Sequence, residues 1–525
     1  MREARSVGCA FDTAFYSRGC TPREIRRTMA TPLTPAAASG PTPSMPVERH
    51  PRFVLLVVML GALMSAVDVT IVILALPTIG SELKSPLATI IWVILLYLLV
   101  TTLLTTQVGR IGDIFGRARI YNTGFAVFTV SSVLCGLAPN DVFLIASRGG
   151  QAVGASLMLA NGGAIIADHF PPQERGRAFG YTALGWNVGA ILGILLGGAI
   201  TTYLGWRYIF FINAPIGIVA VYLGLKYVHD VERHRTPLDL PGFALFGGAL
   251  GALAYAAIDF ASYGVRPLNE ILILVGLAFL LPFLFWETRA KAPMLDFRLF
   301  RQRILTYSLG SSFLQGMGYL SVVFLLTMYL QGVRGLSPLD AALLLVPGYI
   351  VGGTLSPFFG RISDRLGARL VATLGIALMG AGVLAYASLR IDSPLAFVVG
   401  ISVVTGLGSG MFWPANNAAI MASAPRGSYG AVSGLRSMLT NTGTLLSFVL
   451  AITIASATVP RYVAYEVILG TTKLIGGIGA SFLAGIDGAL YTATAILAAA
   501  AVLSALRGHV VHTEHPAPPD PQNPT

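Results

Sequence analysis

The amino-acid sequence predicts an all-α polytopic membrane protein with fourteen transmembrane helices, and three observations support this fold class. Of the 525 residues, 54% are apolar and only 11% are charged, whereas soluble chains carry roughly twice that share of charge. Apolar runs of about 17 to 25 residues, long enough to cross a bilayer, follow one another along most of the chain. Lysine and arginine concentrate in alternate connections between these runs, as they do in multi-pass membrane proteins.

The predicted spans are the apolar runs that contain few charges, and the seventh and eighth are the shortest. In chain order they are Phe53–Leu76, Ile90–Val108, Ile120–Leu137, Val142–Ala167, Ala178–Ile200, Tyr208–Val228, Gly242–Ile258, Ile271–Phe285, Leu305–Tyr329, Ala341–Phe359, Val371–Leu389, Leu395–Met421, Gly430–Ile454 and Ala489–Leu506.

The distribution of positive charge orients the predicted spans. With the N-terminus inside, 26 of the 35 lysines and arginines fall in inside segments and only seven in outside loops. The remaining two, Arg148 and Arg436, fall within spans. This bias favours two cytoplasmic termini, and we expect the chain in the cell (inner) membrane. The net charge of +11 then reflects topology, so no nucleic acid is expected as a partner.

A repeated motif divides the predicted spans into two halves. Residues 109–119 read GRIGDIFGRAR and residues 360–369 read GRISDRLGAR, so Gly-Arg-Ile-x-Asp-x-x-Gly recurs at the same spacing. The first copy follows span 2 and the second follows span 10, eight spans later. Repeated halves are common in secondary transporters, and two six-helix halves separated by two inserted spans explain the offset.

The predicted organisation therefore has five parts. They are a disordered cytoplasmic tail at 1–52, a six-helix half at 53–228, two inserted spans with a cytoplasmic linker at 229–304, a second six-helix half at 305–506, and a disordered cytoplasmic tail at 507–525. Both tails are polar and rich in proline, a composition that buries too little apolar surface to fold.

The repeated motif is itself a candidate conformational latch. Asp113 can accept charge-assisted hydrogen bonds from Arg117 or Arg119, while Gly109 and Gly116 allow close helix approach and a tight turn. The second copy offers the same residue types at Gly360, Asp364, Arg365 and Gly367. Alternatively, the arginines only enforce topology, although that role requires neither the aspartate nor the glycines.

Glycines recur at every fourth position of the fifth span, in GWNVGAILGILLGG. Gly185, Gly189, Gly193 and Gly197 therefore form one small-residue stripe along a helix. In a membrane, such a stripe lets a neighbouring backbone pack closely. A packing role and a gating role are both compatible with the stripe.

Ionisable residues within the apolar runs are candidates for proton coupling, since they are costly in lipid and face a cavity or a partner. Asp68 lies deep in span 1, and a buried carboxylate can take up and release a proton near neutral pH. Arg148 begins span 4 and can modulate Asp68. The alternative for Asp68 is a structural hydrogen bond to a neighbouring helix. Asp168 and Asp259 lie near predicted span ends, and we expect them at the membrane interface.

The sequence contains no motif that indicates an enzyme active site or a cofactor site. It contains no phosphate-binding loop, no His-Glu-x-x-His and no nucleophile elbow. The glycine-rich stretch GLGSG at 406–410 lies within a predicted span rather than after a strand. The three cysteines have no metal-ligand spacing, so neither a metal nor a disulfide framework is expected.

The motifs together resemble the major facilitator superfamily, and more narrowly its fourteen-span drug:proton antiporters of the EmrB/QacA-like type. GRIGDIFGRAR is similar to the signature loop of that superfamily, DVTIVILALP to the span 1 motif that supplies Asp68, and ASRGGQAVGA to the span 4 motif. The resemblance covers about residues 53–506 and implies the major facilitator fold, with Arg148 associated with proton transfer. One position departs from the span 5 motif, because Ile194 follows Gly193 where the family usually has proline.

The function that this resemblance implies is proton-coupled export of amphipathic small molecules or drugs by alternating access. A dedicated exporter or importer of a metabolite, siderophore or lipid-like compound is an alternative, and a transport-inactive sensor or scaffold is another. Expected partners are the substrate, protons, the bilayer and, in a Gram-negative cell, a periplasmic adaptor; the proton gradient supplies the energy. Trp413, Asn416 and Arg436 are candidate substrate contacts.

Overall fold

Fourteen long helices run through the described residues, and each overlaps one predicted span. The structure is a computed structural model that describes residues 50–170, 172–230, 238–290, 293–295, 297–424, 429–456 and 478–508. The helices are α1 Pro51–Leu83, α2 Trp92–Phe115, α3 Arg117–Gly136, α4 Asp141–His169, α5 Pro172–Tyr203, α6 Asn213–Tyr227, α7 Leu240–Tyr263, α8 Pro267–Glu287, α9 Arg303–Thr327, α10 Pro338–Leu366, α11 Ala368–Tyr386, α12 Leu395–Ala422, α13 Tyr429–Ser456 and α14 Ile478–Leu506. A short helical turn, Tyr208–Phe211, precedes α6, and a wider turn, Met328–Val333, extends α9.

Within the described residues, twelve helices are long and apolar enough to cross a membrane. The helix α2 becomes a thirteenth if its two segments, Trp92–Thr105 and Gln107–Phe115, count as one span bent by 53°. The helix α3 is not among them, since it begins with two arginines and carries several Ser, Thr and Asn residues. The chain is thus a multi-pass membrane protein, and the count of fourteen spans stays a prediction.

Local sequence signals set several helix ends. The side chains of Asn140 and Ser337 accept hydrogen bonds from the first turns of α4 and α10, at 2.9 and 3.1 Å. The helices α2 and α10 each end at a glycine with positive φ, Gly116 at 107° and Gly367 at 88°. These two glycines are equivalent positions of the repeated motif, so the repeat extends to backbone conformation.

The helices pack in pairs that recur at an offset of eight. The helix α1 packs on α5 and α6 as α9 packs on α13 and α14, and α4 packs on α2 and α3 as α12 packs on α10 and α11. Two further pairs, α2 with α13 and α5 with α10, join the first six helices to the last six. The same offset relates α2 to α10 and α5 to α13, so it converts one of these two pairs into the other. This is expected for two related halves.

The glycine stripe of α5 lies against the backbone of α1. A Cβ atom added to Gly185, Gly189, Gly193 or Gly197 would approach a carbonyl oxygen of α1 to 3.0, 2.6, 2.7 and 3.0 Å, respectively. Those oxygens belong to Met59, Leu63, Val67 and Ile71, which are also four residues apart. The helix α5 is unbroken from Pro172 to Tyr203, consistent with Ile194 in place of a proline.

Other glycines allow close approach where sequence reasoning did not place it. In the stretch GLGSG, a Cβ on Gly406 or Gly410 would collide with Gly348 or Gly352 of α10, so these glycines pack helices rather than bind a ligand. In the repeated motif, a Cβ on Gly109 would meet no atom of the described residues within 4 Å, whereas one on Gly112 would collide with the side chain of Asn161. Close packing at this motif therefore belongs to Gly112, and the expectation for Gly109 is corrected.

The two helices between the halves form a hairpin. The helix α7 packs on α8, α13 and α2, while the principal neighbour of α8 is α7. Many apolar side chains of α8 are exposed, including Ile271, Leu274 and Phe285, which fits a helix that faces lipid. The predicted tails lie outside the described residues except at His50–Arg52 and Arg507–Gly508.

Candidate functional site

Asp68 and Arg148 form a fully buried ion pair. Asp68 lies in the middle of α1 and Arg148 in the second turn of α4, eighty residues later. Arg148 Nη1 donates to Asp68 Oδ2 at 2.7 Å, and the side chains are 2% and 0% exposed. Two charges survive such burial only when each is paired and hydrogen-bonded. The structure thus brings together the two candidates for proton coupling.

Gln151 completes this pair. It lies three residues after Arg148, on the same face of α4. Its amide nitrogen donates to Asp68 Oδ1 at 2.7 Å and to Ser132 Oγ of α3 at 2.6 Å. Its amide oxygen accepts from Arg148 Nη1 at 2.6 Å. Both oxygens of Asp68 therefore have donors, and the network joins α1, α3 and α4.

The helix α2 closes the network from the other side. Arg148 Nε donates to the backbone oxygen of Val93 at 3.0 Å. The ring of Tyr97 covers the guanidinium, with 4.3 Å between the ring centroid and Arg148 Cζ, a cation–π contact. Four helices of the first half thus meet at one charged centre.

A small cavity beside Arg148 reaches the second half. It has a volume of about 10 Å³, the size of about one water molecule, and Tyr97, Leu98 and Arg148 line it from the first half. Leu320 of α9 and Phe448 of α13 line it from the second half. The charged centre therefore borders the interface between the halves.

This arrangement can respond to a single proton. A proton on Asp68 would remove its charge and weaken the ion pair, leaving Arg148 next to the cavity with an unbalanced positive charge. The state without the added proton is the one with the full hydrogen-bond network. The network thus links the charge on Asp68 to the position of Arg148 at the interface.

The first copy of the repeated motif forms an ion-pair cluster. Arg117 contacts Asp113 at 2.7 Å and Asp168 of α4 at 2.6 Å. Burial by itself would lower the pKa of Arg117, but the two carboxylates outweigh that effect and raise it, so the guanidinium stays charged. Arg119, the alternative partner, is exposed. Asp168, which was expected only at the membrane interface, is thus part of the cluster.

Asp230 is a further member that sequence reasoning missed. Its Oδ1 accepts from the backbone N–H of Ala118 at 2.8 Å, at the N-terminus of α3 where negative charge is favoured. A side chain at Gly116 would collide with this carboxylate. In the second copy, Arg365 is exposed, a Cβ on Gly360 would lie 3.8 Å from Pro414, and the side chain of Asp364 lies outside the described residues.

The three candidate substrate contacts are not joined to one another. Asn416 is fully buried and donates to Ser312 Oγ of α9 at 2.7 Å, so it links two helices, although its Oδ1 has no partner in the described part of the chain. Trp413 is half-buried and packs on Phe412. Arg436 has no carboxylate within ion-pair distance among the described residues, and its one hydrogen bond there is a 3.4 Å contact with Ser437.

Within the described residues, two hydrogen bonds connect the halves at the end of the bundle opposite to the repeated motif. Gln331 Nε2 donates to the backbone oxygen of Leu74 at 3.1 Å, and the backbone N–H of Leu339 donates to Thr202 Oγ1 at 3.3 Å. A Cβ on Gly198 would also collide with α10 at this level. The halves therefore meet closely at that end.

The chain matches known transporters over most of its length. Residues 58–448 match the family model of the Major Facilitator Superfamily. The riboflavin transporter RibZ of Clostridioides difficile is 33% identical, over 71% of this chain and 81% of its own. The multidrug resistance protein Stp of Mycobacterium tuberculosis strain CDC 1551 is 31% identical, over 74% and 73%. A crystal structure of a bacterial homolog of the human lysosomal transporter Spinster has a similar fold, with a TM-score of 0.63 at 19% identity over 88% and 97%.

Proposed function

The chain belongs to the Major Facilitator Superfamily and is a membrane transporter rather than an enzyme, and from this premise we propose that it exports amphipathic small molecules in exchange for protons. The observation that carries the proposal is the buried Asp68–Arg148 pair at the interface between the halves. Ionisable residues held inside a membrane protein commonly belong to ion or proton pathways. Stp, a relative over about three quarters of the chain, is a multidrug resistance protein.

The proposed coupling uses the charge on Asp68. A proton taken up by Asp68 neutralises the carboxylate and releases Arg148 and Gln151 from it. Arg148 then carries an uncompensated charge beside Leu320 and Phe448, which favours a different arrangement of the halves. Release of the proton to the other side restores the pair, so one cycle moves one proton inward for each outward step.

The energy available is adequate for export. One elementary charge that crosses a potential of about 100 mV gains about 2.3 kcal/mol. At about 1.4 kcal/mol for each tenfold change, this supports a substrate gradient of roughly 45-fold per proton. In the proposed orientation, both termini and the repeated motif face the cytoplasm of the cell (inner) membrane.

A dedicated substrate is the second candidate function. It is favoured by RibZ, a riboflavin transporter that is 33% identical to this chain. Arg436 in the second half also favours a dedicated substrate. It is a partly buried cation without a carboxylate partner among the described residues. A site that contains this arginine suits neutral or acidic compounds better than quaternary ammonium compounds.

The experiment is flux in proteoliposomes with an imposed pH gradient. The probes are a set of amphipathic dyes, a quaternary ammonium compound and riboflavin. Three proteins are compared: the native chain, Asp68→Asn, and Asp259→Asn as a matched control. Asp259 is also a buried aspartate that pairs with an arginine, Arg266 at 3.5 Å, but it lies in α7 outside the network.

We expect gradient-driven dye movement in the native protein and in Asp259→Asn, and loss of gradient dependence in Asp68→Asn. Movement of riboflavin alone would favour the dedicated transporter. Dye movement that is equally gradient-dependent in Asp68→Asn would remove Asp68 from the coupling path. Folded protein that moves no probe would contradict the proposed export of amphipathic compounds.

A further inference from the structure

Asp239 and Glu287 form a second buried acidic pair, far along the chain from Asp68. Asp239 precedes the first residue of α7 and Glu287 is the last residue of α8, and they are 5% and 3% exposed. One oxygen of each carboxyl group has donors. Asp239 Oδ1 accepts from Trp286 Nε1 at 2.8 Å and from the backbone of Gly242 at 3.0 Å, and Glu287 Oε2 accepts from the backbone of Leu295 at 2.9 Å.

The remaining oxygen of each carboxyl group has no partner among the described residues, and the two point to the same place. They are Asp239 Oδ2 and Glu287 Oε1. A Cβ atom built on Gly242 would collide with both, so glycine leaves the space that they share. Two buried acceptors that face each other repel when both groups are charged, and a single proton between them satisfies both.

We propose that Asp239 and Glu287 together bind one proton, which is shared between Glu287 Oε1 and Asp239 Oδ2. In the protonated pair, one carboxyl group donates an O–H hydrogen bond to the other, and the pair carries one negative charge instead of two. On deprotonation, the proton passes to water and leaves two like charges in a buried place. Arg110 is the charged group that α2 brings near the pair, and it also donates to the backbone oxygen of Pro293 at 2.9 Å.

The proton site connects the inserted hairpin to the bent end of α2. Gln107, just after the bend, pairs its amide group with both the backbone N–H and the backbone oxygen of Asp239, each at 3.3 Å. One turn later, Arg110 reaches the segment that follows α8. The shared proton therefore holds together the start of α7, the end of α8 and the part of α2 that leads into the repeated motif.

The sign of the pH effect follows from the number of bound protons. Near neutral pH the folded protein holds a proton at this pair, whereas the separated carboxyl groups of the unfolded chain hold none. Stability therefore falls as pH rises and this proton is lost. Removing one charge by substitution should abolish this part of the pH dependence.

The test compares the native full-length chain with Glu287→Gln and Asp239→Asn. Glutamine keeps the acceptor for Leu295 and directs an amide N–H₂ toward Asp239, so it imitates the protonated pair. Asparagine likewise keeps the capping acceptor for Gly242. Asp259→Asn serves as the control, since it removes a buried carboxylate elsewhere in α7.

Two measurements are made on purified protein as pH is raised: the midpoint of thermal unfolding and the infrared band of protonated carboxyl groups. We expect the unfolding midpoint of the native protein and of Asp259→Asn to fall as pH rises, and to level off at the pH where the protonated-carboxyl band disappears. In Glu287→Gln and Asp239→Asn, the band should be missing and the slope of the midpoint against pH should be flatter.

Identical pH profiles in all four proteins would overturn the proposal. A midpoint that rises with added Na⁺ or Ca²⁺ at fixed pH, in the native protein but not in Glu287→Gln, would also overturn it, because the site would then hold a cation. Neither measurement requires transport, so this proposal stands or falls independently of the proposed function.

Discussion

At the scale of single residues, both oxygens of Asp68 are held by hydrogen bonds from α4. Its two oxygens accept from Arg148 and Gln151, and Gln151 is anchored in turn by Ser132. Removing one partner of a buried ion pair strands the other charge, whereas removing both charges together leaves no stranded charge. The stability of the fold and the proposed proton coupling therefore depend on the same atoms.

Combining substitutions measures how much the Asp68–Arg148 ion pair contributes to stability. We expect Asp68→Asn and Arg148→Gln each to lower the free energy of unfolding by about 3–5 kcal/mol. In the double variant the loss should be smaller than the sum of the two, since neither charge remains. The measurement is thermal or denaturant unfolding in detergent of all four members of the cycle, and additive losses would show that the two side chains do not interact.

The sequence identified Asp68 and Arg148 but could not identify their contact. They are eighty residues apart, and the pairing depends on helix rotations that hydropathy does not define. Gln151 was detectable in principle, because a polar residue three positions after a buried arginine lies on the same helix face. Asp230 carried no such signal, since it comes from a connection whose path depends on the whole fold.

At the scale of helices, hydropathy predicted where most of them run but not their full lengths. The helices α1, α2 and α10 extend several residues beyond their apolar runs, because polar residues at the membrane surface continue the same hydrogen-bonded backbone. The helix α14 begins at Ile478, eleven positions before the predicted Ala489. Glycine spacing predicted that α5 has a close neighbour, but the identity of that neighbour, α1, required the structure.

The glycine stripe of α5 gives a prediction with an internal control. A Cβ at Gly193 would collide with Thr70 and approach the Val67 oxygen to 2.7 Å, so Gly193→Ala should force α1 and α5 apart. We expect a loss of about 1–3 kcal/mol in stability, as for overpacking elsewhere. A Cβ on Gly180, in the same helix, would have no atom of the described residues within 4 Å, so Gly180→Ala should be neutral or stabilising by up to about 1 kcal/mol.

Unfolding midpoints of the two variants test this prediction. Equal midpoints would mean that the stripe tolerates a methyl group and that the close approach of the backbones has no energetic role.

At the scale of the whole molecule, the repeated motif predicts two six-helix halves with two helices inserted between them. A six-helix repeat alone would place the second copy six spans after the first, whereas it lies eight spans later. The structure adds which helices meet between the halves, namely α2 with α13 and α5 with α10. No sequence pattern predicts these pairs, since apolar faces of different helices are chemically alike in a membrane.

The proposed alternating access requires the close contact between α5 and α10 to open. A disulfide or a short bifunctional linker between Thr202→Cys and Leu339→Cys should therefore abolish flux, and reduction of a disulfide should restore it. The positions are chosen because Leu339 N–H donates to Thr202 Oγ1 at 3.3 Å across the interface.

The control joins two positions of one half, Ser85→Cys and Asp141→Cys, where Ser85 Oγ donates to Asp141 at 2.9 Å. We expect little change in flux on cross-linking this pair. Full flux in the cross-linked Thr202–Leu339 protein would show that this end of the interface does not need to open.

The contact between α1 and α5 also has a mechanical consequence. Four carbonyl oxygens of α1 face four glycines of α5, so at these four positions α5 places no side chain between the two backbones to absorb a displacement. The two helices should behave as one stiff lever. Asp68 is carried on one arm of this lever, and the surface that meets α10 is carried on the other. A small displacement of α1 at Asp68 should therefore displace α5 by a similar amount at its contact with α10. No series of side-chain rearrangements is needed in between.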